Sequence, residues 1–316
     1  MNGLPSEFSA ALASRYRIER EVGTGRMASV YVAEDQRLGR RVVVKVLRPD
    51  AAVRHADVRF VRETKLLAQL HHKNIVPLYD SGYAAGRLYY VSSYVAGESL
   101  RKRLDRAGPL PVDEALAITR DIADALEYAH RRGVIHRDVK PENILLAEDH
   151  ALVADFGFAK TIGALTAGPV TTVGTVGPGT PRYMSPEQCV GSRELDGRTD
   201  VYSLALVLYE MLTGQLPHAS EDGGIDNSRK FTRAAAPPSS LRRGIPPRVD
   251  AAILRALAPN PVERTATARE FAQALGADDI ALVNVGSATD RRFPSPVVIA
   301  AAIVALAGIV MALLMR

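Results

Sequence analysis

The sequence contains no tryptophan and a single cysteine, Cys189, in 316 residues, of which only 6% are aromatic. A lone cysteine cannot close an intramolecular disulfide, which excludes a stapled secreted scaffold. The N-terminus lacks an uninterrupted apolar stretch: Ser6, Glu7, Ser9, Ser14, Arg15 and Arg17 break it up, so no signal peptide is read there. No fixed-period repeat is present. Nor is the composition that of a disordered chain, because 47% of the residues are hydrophobic and 24% charged. The length allows a sizeable core and suggests about two domains or lobes. A net charge of +5 permits an anionic partner, although charge alone does not choose among nucleotide, lipid surface and nucleic acid.

What is present is distributed unevenly. Residues 297–315 are all apolar or glycine, Gly308 being the one outside the hydrophobic set. At about 1.5 Å per residue, such a helix matches the hydrocarbon thickness of a bilayer. A buried core helix is the alternative, but such helices seldom run this far without a polar residue. Arg291 and Arg292 precede the run and only Arg316 follows it, so the expectation is a single-pass protein of the cell membrane with its bulk in the cytoplasm and no outside domain. Residues 276–296 read as a juxtamembrane tether. Ala301 and Ala305, four residues apart, would let two spans pack closely.

From the N-terminus, residues 16–22 and 30–34 read as β-branched strands joined by a glycine-containing turn. Such a turn can simply close a hairpin, or its amides can cradle phosphate. A third strand, residues 41–47, carries Lys45 within an apolar run. A lysine there either snorkels at a sheet edge or needs an anionic partner, because an isolated buried ammonium is costly. The spacing predicts a helix over residues 58–70 that places Glu63 in one apolar stripe with Phe60, Leu67 and Leu70, making it a candidate partner for Lys45. Residues 87–94 read as a strand, residues 95–98 as a connector and residues 113–132 as an amphipathic helix ended by Arg131, Arg132 and Gly133. A strand-rich part thus precedes a helical part, and a cleft between two such lobes is the natural ligand site.

Beyond Gly133, two three-residue strands, residues 144–146 and 152–154, flank a polar turn. An antiparallel hairpin sets the entry of its first strand beside the exit of its second, so Asn143 and Asp155 should converge. An amide oxygen and a carboxylate are hard donors suited to Mg²⁺, which keeps substrate phosphate in its shell. Asp138 and Lys140 lie on the loop just before.

In order and spacing, the glycine-containing turn, Lys45, Glu63, His136-Arg137-Asp138, Asn143 and Asp155-Phe156-Gly157 resemble the motifs of eukaryotic-type (Hanks-type) protein kinases, and specifically the bacterial membrane-anchored Ser/Thr kinases. Ser185-Pro186-Glu187 is similar to the triplet that closes the family's activation segment, and Arg264 to the late arginine that pairs with its glutamate. Asp200 opens the apolar helix that anchors the large lobe. The likeness covers residues 16–275 and implies an α+β, two-lobed kinase fold, with a small β-rich lobe over about 16–95 and a large, mainly helical lobe over about 96–275. Residues 1–15 would be an N-terminal extension, and residues 297–315 one C-terminal transmembrane helix.

The resemblance implies transfer of the γ-phosphoryl of ATP to Ser or Thr hydroxyls of protein substrates, with Mg²⁺, or Mn²⁺ in its place. Lys45, held by Glu63, would contact the phosphates, which the backbone of Val22, Gly23, Thr24, Gly25, Arg26, Met27, Ala28, Ser29 and Val30 would cover. Ser93 and Val95 would bind adenine through the backbone, with Ser92 at the gatekeeper position. Asn143 and Asp155 would hold the metal, Asp138 would take the substrate proton and Lys140 would stabilise the transferring group. Arg137 implies control by a phosphorylated loop residue, with Thr171, Thr172 and Thr175 as candidates, while Thr180 would support Asp138 and Lys140. Further implied partners are membrane lipid and a second copy of the chain for trans-autophosphorylation; no nucleic acid is expected. Departures from the pattern include Arg26 and Ala28 at glycine positions, Val43 beside adenine, Ala205, Thr265 and the lost apolar periodicity of residues 218–238. Two rivals are a membrane-anchored pseudokinase scaffold that binds nucleotide without transferring phosphate, and a lipid-binding membrane adaptor. The first is disfavoured by retention of Lys45, Glu63, Asp138, Asn143 and Asp155, the second by the ordered motifs.

Overall fold

The computed structural model describes residues 6–25, 28–47, 64, 66–156, 182–192, 194–217, 231 and 234–276. All of them lie within residues 1–276, the first of the two units into which the chain divides. The small lobe is built on an antiparallel five-stranded sheet in the order β1-β2-β3-β5-β4. Its strands are β1 (Tyr16–Thr24), β2 (Ala28–Asp35), β3 (Arg40–Leu47), β4 (Leu78–Ala84) and β5 (Arg87–Ser93). Strand side chains alternate between faces, so the valine-rich β3 divides its residues in two. Val42, Val44 and Val46 are buried in one cluster with Tyr31, Ala33 and Val91. Lys45 lies on the other face, directly opposite Tyr90 of β5.

Helix α1 (Ser6–Leu12) covers the first face, with Phe8 and Leu12 buried in that same cluster. The Phe8 ring meets Tyr89 edge-on at 5.8 Å, a favourable aromatic arrangement. Arg15 and the Tyr16 hydroxyl both donate to Asp80 of β4, at 2.6 and 3.0 Å. The stretch expected to be an extension is therefore fastened to the sheet from residue 6 onward.

The lobes meet at a second, three-stranded sheet of β6 (Glu98–Ser99), β7 (Ile144–Leu146) and β8 (Ala151–Val153). Glu98, read from sequence as connector, is thus a strand residue paired with Leu146. Gly97 makes the turn into β6 at φ 146°, where a Cβ would run into the Leu146 carbonyl oxygen, so only glycine fits. The segment before β4 is sewn to β8 as well: Val153 donates to the Asn74 carbonyl and Val76 to the Val153 carbonyl, at 2.9 and 3.0 Å.

The large lobe contains α2 (Leu100–Ala107), α3 (Val112–His130), α4 (Pro186–Cys189), α5 (Arg198–Thr213), α6 (Pro247–Ala256) and α7 (Ala268–Ala274). The helix expected over 113–132 ends at His130, and Gly133 follows with a left-handed φ of 72°. Helix α5 is buried continuously from Thr199 to Leu212, as a helix apolar nearly all round must be. Of the helix expected over 58–70, only Thr64, Leu66 and Leu67 are described as helical. Among the described residues no helix is long and apolar enough to cross a membrane; the run at 297–315 lies outside them.

Buried charge locks α4 to the end of the lobe. Arg264, with a side chain fully out of solvent, forms a two-pronged pair with Glu187 at 2.7 and 2.8 Å and also donates to the carbonyls of Ala258 and Pro259. Thr199 of α5 adds a third donor to Glu187 at 2.7 Å. Burial pushes the Glu187 carboxyl up, but Arg264 outweighs it and holds the group below the usual carboxylate range. Removing one partner of such a pair typically costs about 3–5 kcal/mol, because the other charge is left buried alone.

Candidate active site

The site is assembled where the β7–β8 hairpin opens toward the small-lobe sheet. Ile144 pairs with Val153, and beyond that pair Ala154 donates its amide to the Asn143 carbonyl at 2.8 Å. The residue before β7 and the residues after β8 are thereby set side by side, which brings Asn143 next to the segment bearing Asp155.

The loop between α3 and β7 is held from below. Asp200, fully buried in the first turn of α5, accepts the backbone amides of His136 and Arg137 at 2.8 and 2.7 Å, and pairs with His130 Nε2 at 2.7 Å. Burial pushes this carboxyl up; His130 and the loop outweigh burial and keep it below the usual carboxylate range. Gln188 of α4 donates to the Arg137 carbonyl at 2.8 Å. Arg137 is held at φ 70°, a left-handed conformation that a non-glycine residue keeps only where its surroundings impose it.

His136 forms the next layer. Its Nε2 lies 2.9 Å from the Ala154 carbonyl and its Nδ1 accepts from the Asp138 amide at 3.2 Å, so protonation at Nε2 satisfies both contacts. Its ring meets that of Phe156 at a tilt of 57° with centroids 4.6 Å apart. One side chain thus ties the Asp138 loop to the Asp155 segment.

Asp138, Lys140 and Asn143 converge. Asp138 Oδ2 accepts from Lys140 Nζ at 2.7 Å and from Asn143 Nδ2 at 3.0 Å, and Asn143 Nδ2 also donates to the Asp138 carbonyl at 2.8 Å. Turning its nitrogen toward Asp138 directs the Asn143 Oδ1 elsewhere, as an acceptor able to coordinate a cation.

Asp155, at φ 66°, pairs through Oδ2 with Lys45 and accepts the Tyr90 hydroxyl on Oδ1 at 3.0 Å. Burial raises the Asp155 carboxyl, but Lys45 and then Tyr90 more than compensate and lower it. Tyr90 is driven well above the ordinary phenol value, first by burial and then by Asp155, so its hydroxyl remains a donor. A small cavity of about 20 Å³ borders Tyr90, Ser92, Asp155 and Phe156.

Asp155 and Asn143 supply a carboxylate and an amide oxygen, a donor set that suits Mg²⁺. Among the described residues no group of three or more His, Cys, Asp or Glu could hold a metal unaided. An ion here would complete its shell from water and substrate oxygens, as Mg²⁺ does with phosphates.

Gly23, Thr24, Ser29 and Val30 lie at the β1–β2 end, where Gly23 pairs with Val30, Thr24 with Ser29, and Gly25 donates to the Ala28 carbonyl at 2.8 Å. Val22 is 40% exposed there. Ser93 ends β5 and donates its amide to the Pro77 carbonyl at 3.0 Å, with Val95 two residues on. Arg26, Met27, Glu63, Thr171, Thr172, Thr175 and Thr180 lie outside the described residues. Sequence reasoning missed Tyr90, Gln188, His130 and the direct Lys45–Asp155 pair. Only Tyr90 carried a signal, a polar group on a strand that otherwise reads as buried.

The sequence matches the protein kinase domain family over residues 16–274. It is 43% identical over 266 residues to the serine/threonine-protein kinase PknB of Mycobacterium leprae, covering 82% of this chain and 42% of that protein. It is 39% identical over 299 residues to the serine/threonine-protein kinase pkn3 of Myxococcus xanthus, covering 92% of this chain and 54% of that protein. A probable serine/threonine-protein kinase of Clostridium acetobutylicum is 38% identical over 266 residues, covering 84% of this chain and 40% of that protein. The chain therefore spans about half the length of these relatives or less.

Proposed function

The chain belongs to the protein kinase family, and we propose that it is an ATP-dependent protein serine/threonine kinase. The observation that carries this reading is the hydrogen-bonded cluster of Asp138, Lys140 and Asn143, set beside the Lys45–Asp155 pair. In the proposed reaction the oxygen of a substrate Ser or Thr attacks the γ-phosphorus of ATP; the bond to the bridging oxygen breaks, and ADP leaves. Asp138 orients the hydroxyl and accepts its proton. Lys140, already 2.7 Å from Asp138, spreads positive charge over the transferring group. Lys45 exchanges Asp155 for the nucleotide phosphates, and the backbone of the β1–β2 turn covers them. Asn143 Oδ1 and Asp155 would hold Mg²⁺, which would neutralise charge on the phosphates.

Two further parts of the reading concern segments outside the described residues. Arg137 adjoins Asp138, and a phosphorylated Thr171 or Thr172 could order the loop through charge-assisted bonds to such a guanidinium. Activation by autophosphorylation is the consequence we propose, with Thr175 as a third acceptor. The uninterrupted apolar run at 297–315 supports anchoring in the cell membrane with the kinase domain on the cytoplasmic side, where lipid contact and pairing of two copies would favour transfer in trans.

Each part has its own expected outcome. The full chain with Mg²⁺ and radiolabelled ATP should phosphorylate a Ser/Thr-rich protein, and Asp138→Asn should lower the rate at least about 100-fold, the scale of a lost general base; equal labelling by parent and variant contradicts the kinase reading. Thr171→Ala with Thr172→Ala should abolish the lag that precedes maximal rate and leave the low initial rate, as followed by a time course from dephosphorylated enzyme. An unaltered lag and final rate remove the regulatory proposal. The full chain should sediment with membranes and need detergent for release, and recovery in the supernatant without detergent counts against the anchor.

A further inference from the structure

The two oxygens of Asp155 are held by different kinds of group from the same sheet. Lys45 of β3 takes Oδ2 through an ammonium on a flexible four-carbon stem, whereas Tyr90 of β5, directly opposite Lys45, takes Oδ1 at 3.0 Å through a rigid phenol. Tyr90 is only 4% exposed and its ring belongs to the main apolar core with Leu67, Leu70 and Leu88. A buried phenolic hydroxyl is costlier than the hydrogen of phenylalanine unless it is bonded, so packing alone does not account for tyrosine here.

Asp155 also needs an anchor that its own backbone does not provide. Its φ of 66° is a left-handed conformation that a non-glycine residue keeps only where its surroundings impose it, and its carboxylate borders a small cavity lined also by Tyr90, Ser92 and Phe156. In the proposed reaction Lys45 leaves Asp155 for the nucleotide phosphates. At that moment Oδ2 loses its partner, and the Tyr90 bond to Oδ1 is the contact from the sheet that persists.

We propose that Tyr90 is a positioning residue for Asp155: its hydroxyl pins Oδ1, so that Oδ2 exchanges Lys45 for a divalent cation without the carboxylate turning. The inference rests on the kinase reading and extends it to a residue outside the family motifs. No proton or electron changes hands in this step. One carboxylate oxygen changes its cationic partner while the other keeps its hydrogen bond. The consequence is specific, since loss of the hydroxyl should weaken metal binding within the nucleotide complex and leave metal-free nucleotide binding nearly untouched.

The test uses Mn²⁺ as a spectroscopic probe, with a non-hydrolysable ATP analogue and the full chain. Free Mn²⁺ is followed by electron paramagnetic resonance for the parent, Tyr90→Phe and Tyr89→Phe, the last removing a hydroxyl from the opposite face of β5. The expected result for Tyr90→Phe is Mn²⁺ binding weaker by about tenfold, with metal-free analogue affinity altered by less than about twofold, as loss of one hydrogen bond to a charged group implies. The Mg²⁺ dependence of the transfer rate should shift upward by a similar factor, with the rate recovered at saturating Mg²⁺. Tyr89→Phe should match the parent in both titrations. Unchanged Mn²⁺ affinity in Tyr90→Phe overturns the proposal, as does an equal loss of metal-free nucleotide affinity or an equal loss in Tyr89→Phe. A parent that binds the analogue neither with nor without Mn²⁺ overturns the kinase reading together with it.

Discussion

A single carboxylate buried beneath the loop that bears Asp138 carries the arrangement above it. Asp200 has no solvent exposure, yet it accepts two consecutive loop amides and pairs with His130 of α3. Burying a carboxylate is costly unless it is compensated, and here compensation comes from the very backbone that must be positioned. The loop therefore follows the rigid, apolar helix α5 rather than its own conformational preference, which explains how Arg137 is kept at a left-handed φ. From there the order propagates by direct contact. His136 ties the Asp138 amide to the Ala154 carbonyl, and Asn143 locks onto Asp138.

The second anchor, Glu187 of α4, works in the same way. Glu187 and Arg264 satisfy each other in a dry environment, with Thr199 and two carbonyls taking up the remaining donors and acceptors. Gln188, next to Glu187, reaches back to the Arg137 carbonyl, so this ion pair also supports the loop. Above these two fixed points the proposed reaction rests on contacts that would change partners. Lys45 and Asp155 neutralise each other across the interlobe cleft, and phosphate and metal would separate them.

How much of this was legible in the sequence depended on whether a signal was local. The β1–β2 hairpin, β3, α3 and the β7–β8 hairpin follow from short-range periodicity, and the convergence of Asn143 with the Asp155 segment follows from the antiparallel pairing of two strands a few residues apart. Strand β4, with the sequence Leu-Tyr-Asp-Ser-Gly-Tyr-Ala, shows no apolar alternation, because its place is set by pairing with β5 and by Asp80 binding Arg15 and Tyr16. Helix α1 is a single short amphipathic turn pair whose stability comes from burying Phe8 against a sheet formed later in the chain. The Tyr90–Asp155 contact requires the register of β3 against β5 and the docking of β8, none of which short-range patterning encodes. Motif order pointed to the kinase family, whereas the buried supports of the motif residues emerged only from their packing.

The central claim is that Asp200 organises the loop for phosphoryl transfer without itself touching nucleotide. Asp200→Asn tests it most directly, since the amide can still accept from one loop N–H but must face the other with a donor. Steady-state kinetics of the full chain, with metal-free nucleotide affinity as the control for folding, should show kcat reduced about 100-fold, the scale of a displacement of about 1 Å at a reacting group. KM for ATP should stay within a few-fold of the parent. An unchanged kcat, or a loss confined to KM, would contradict the account.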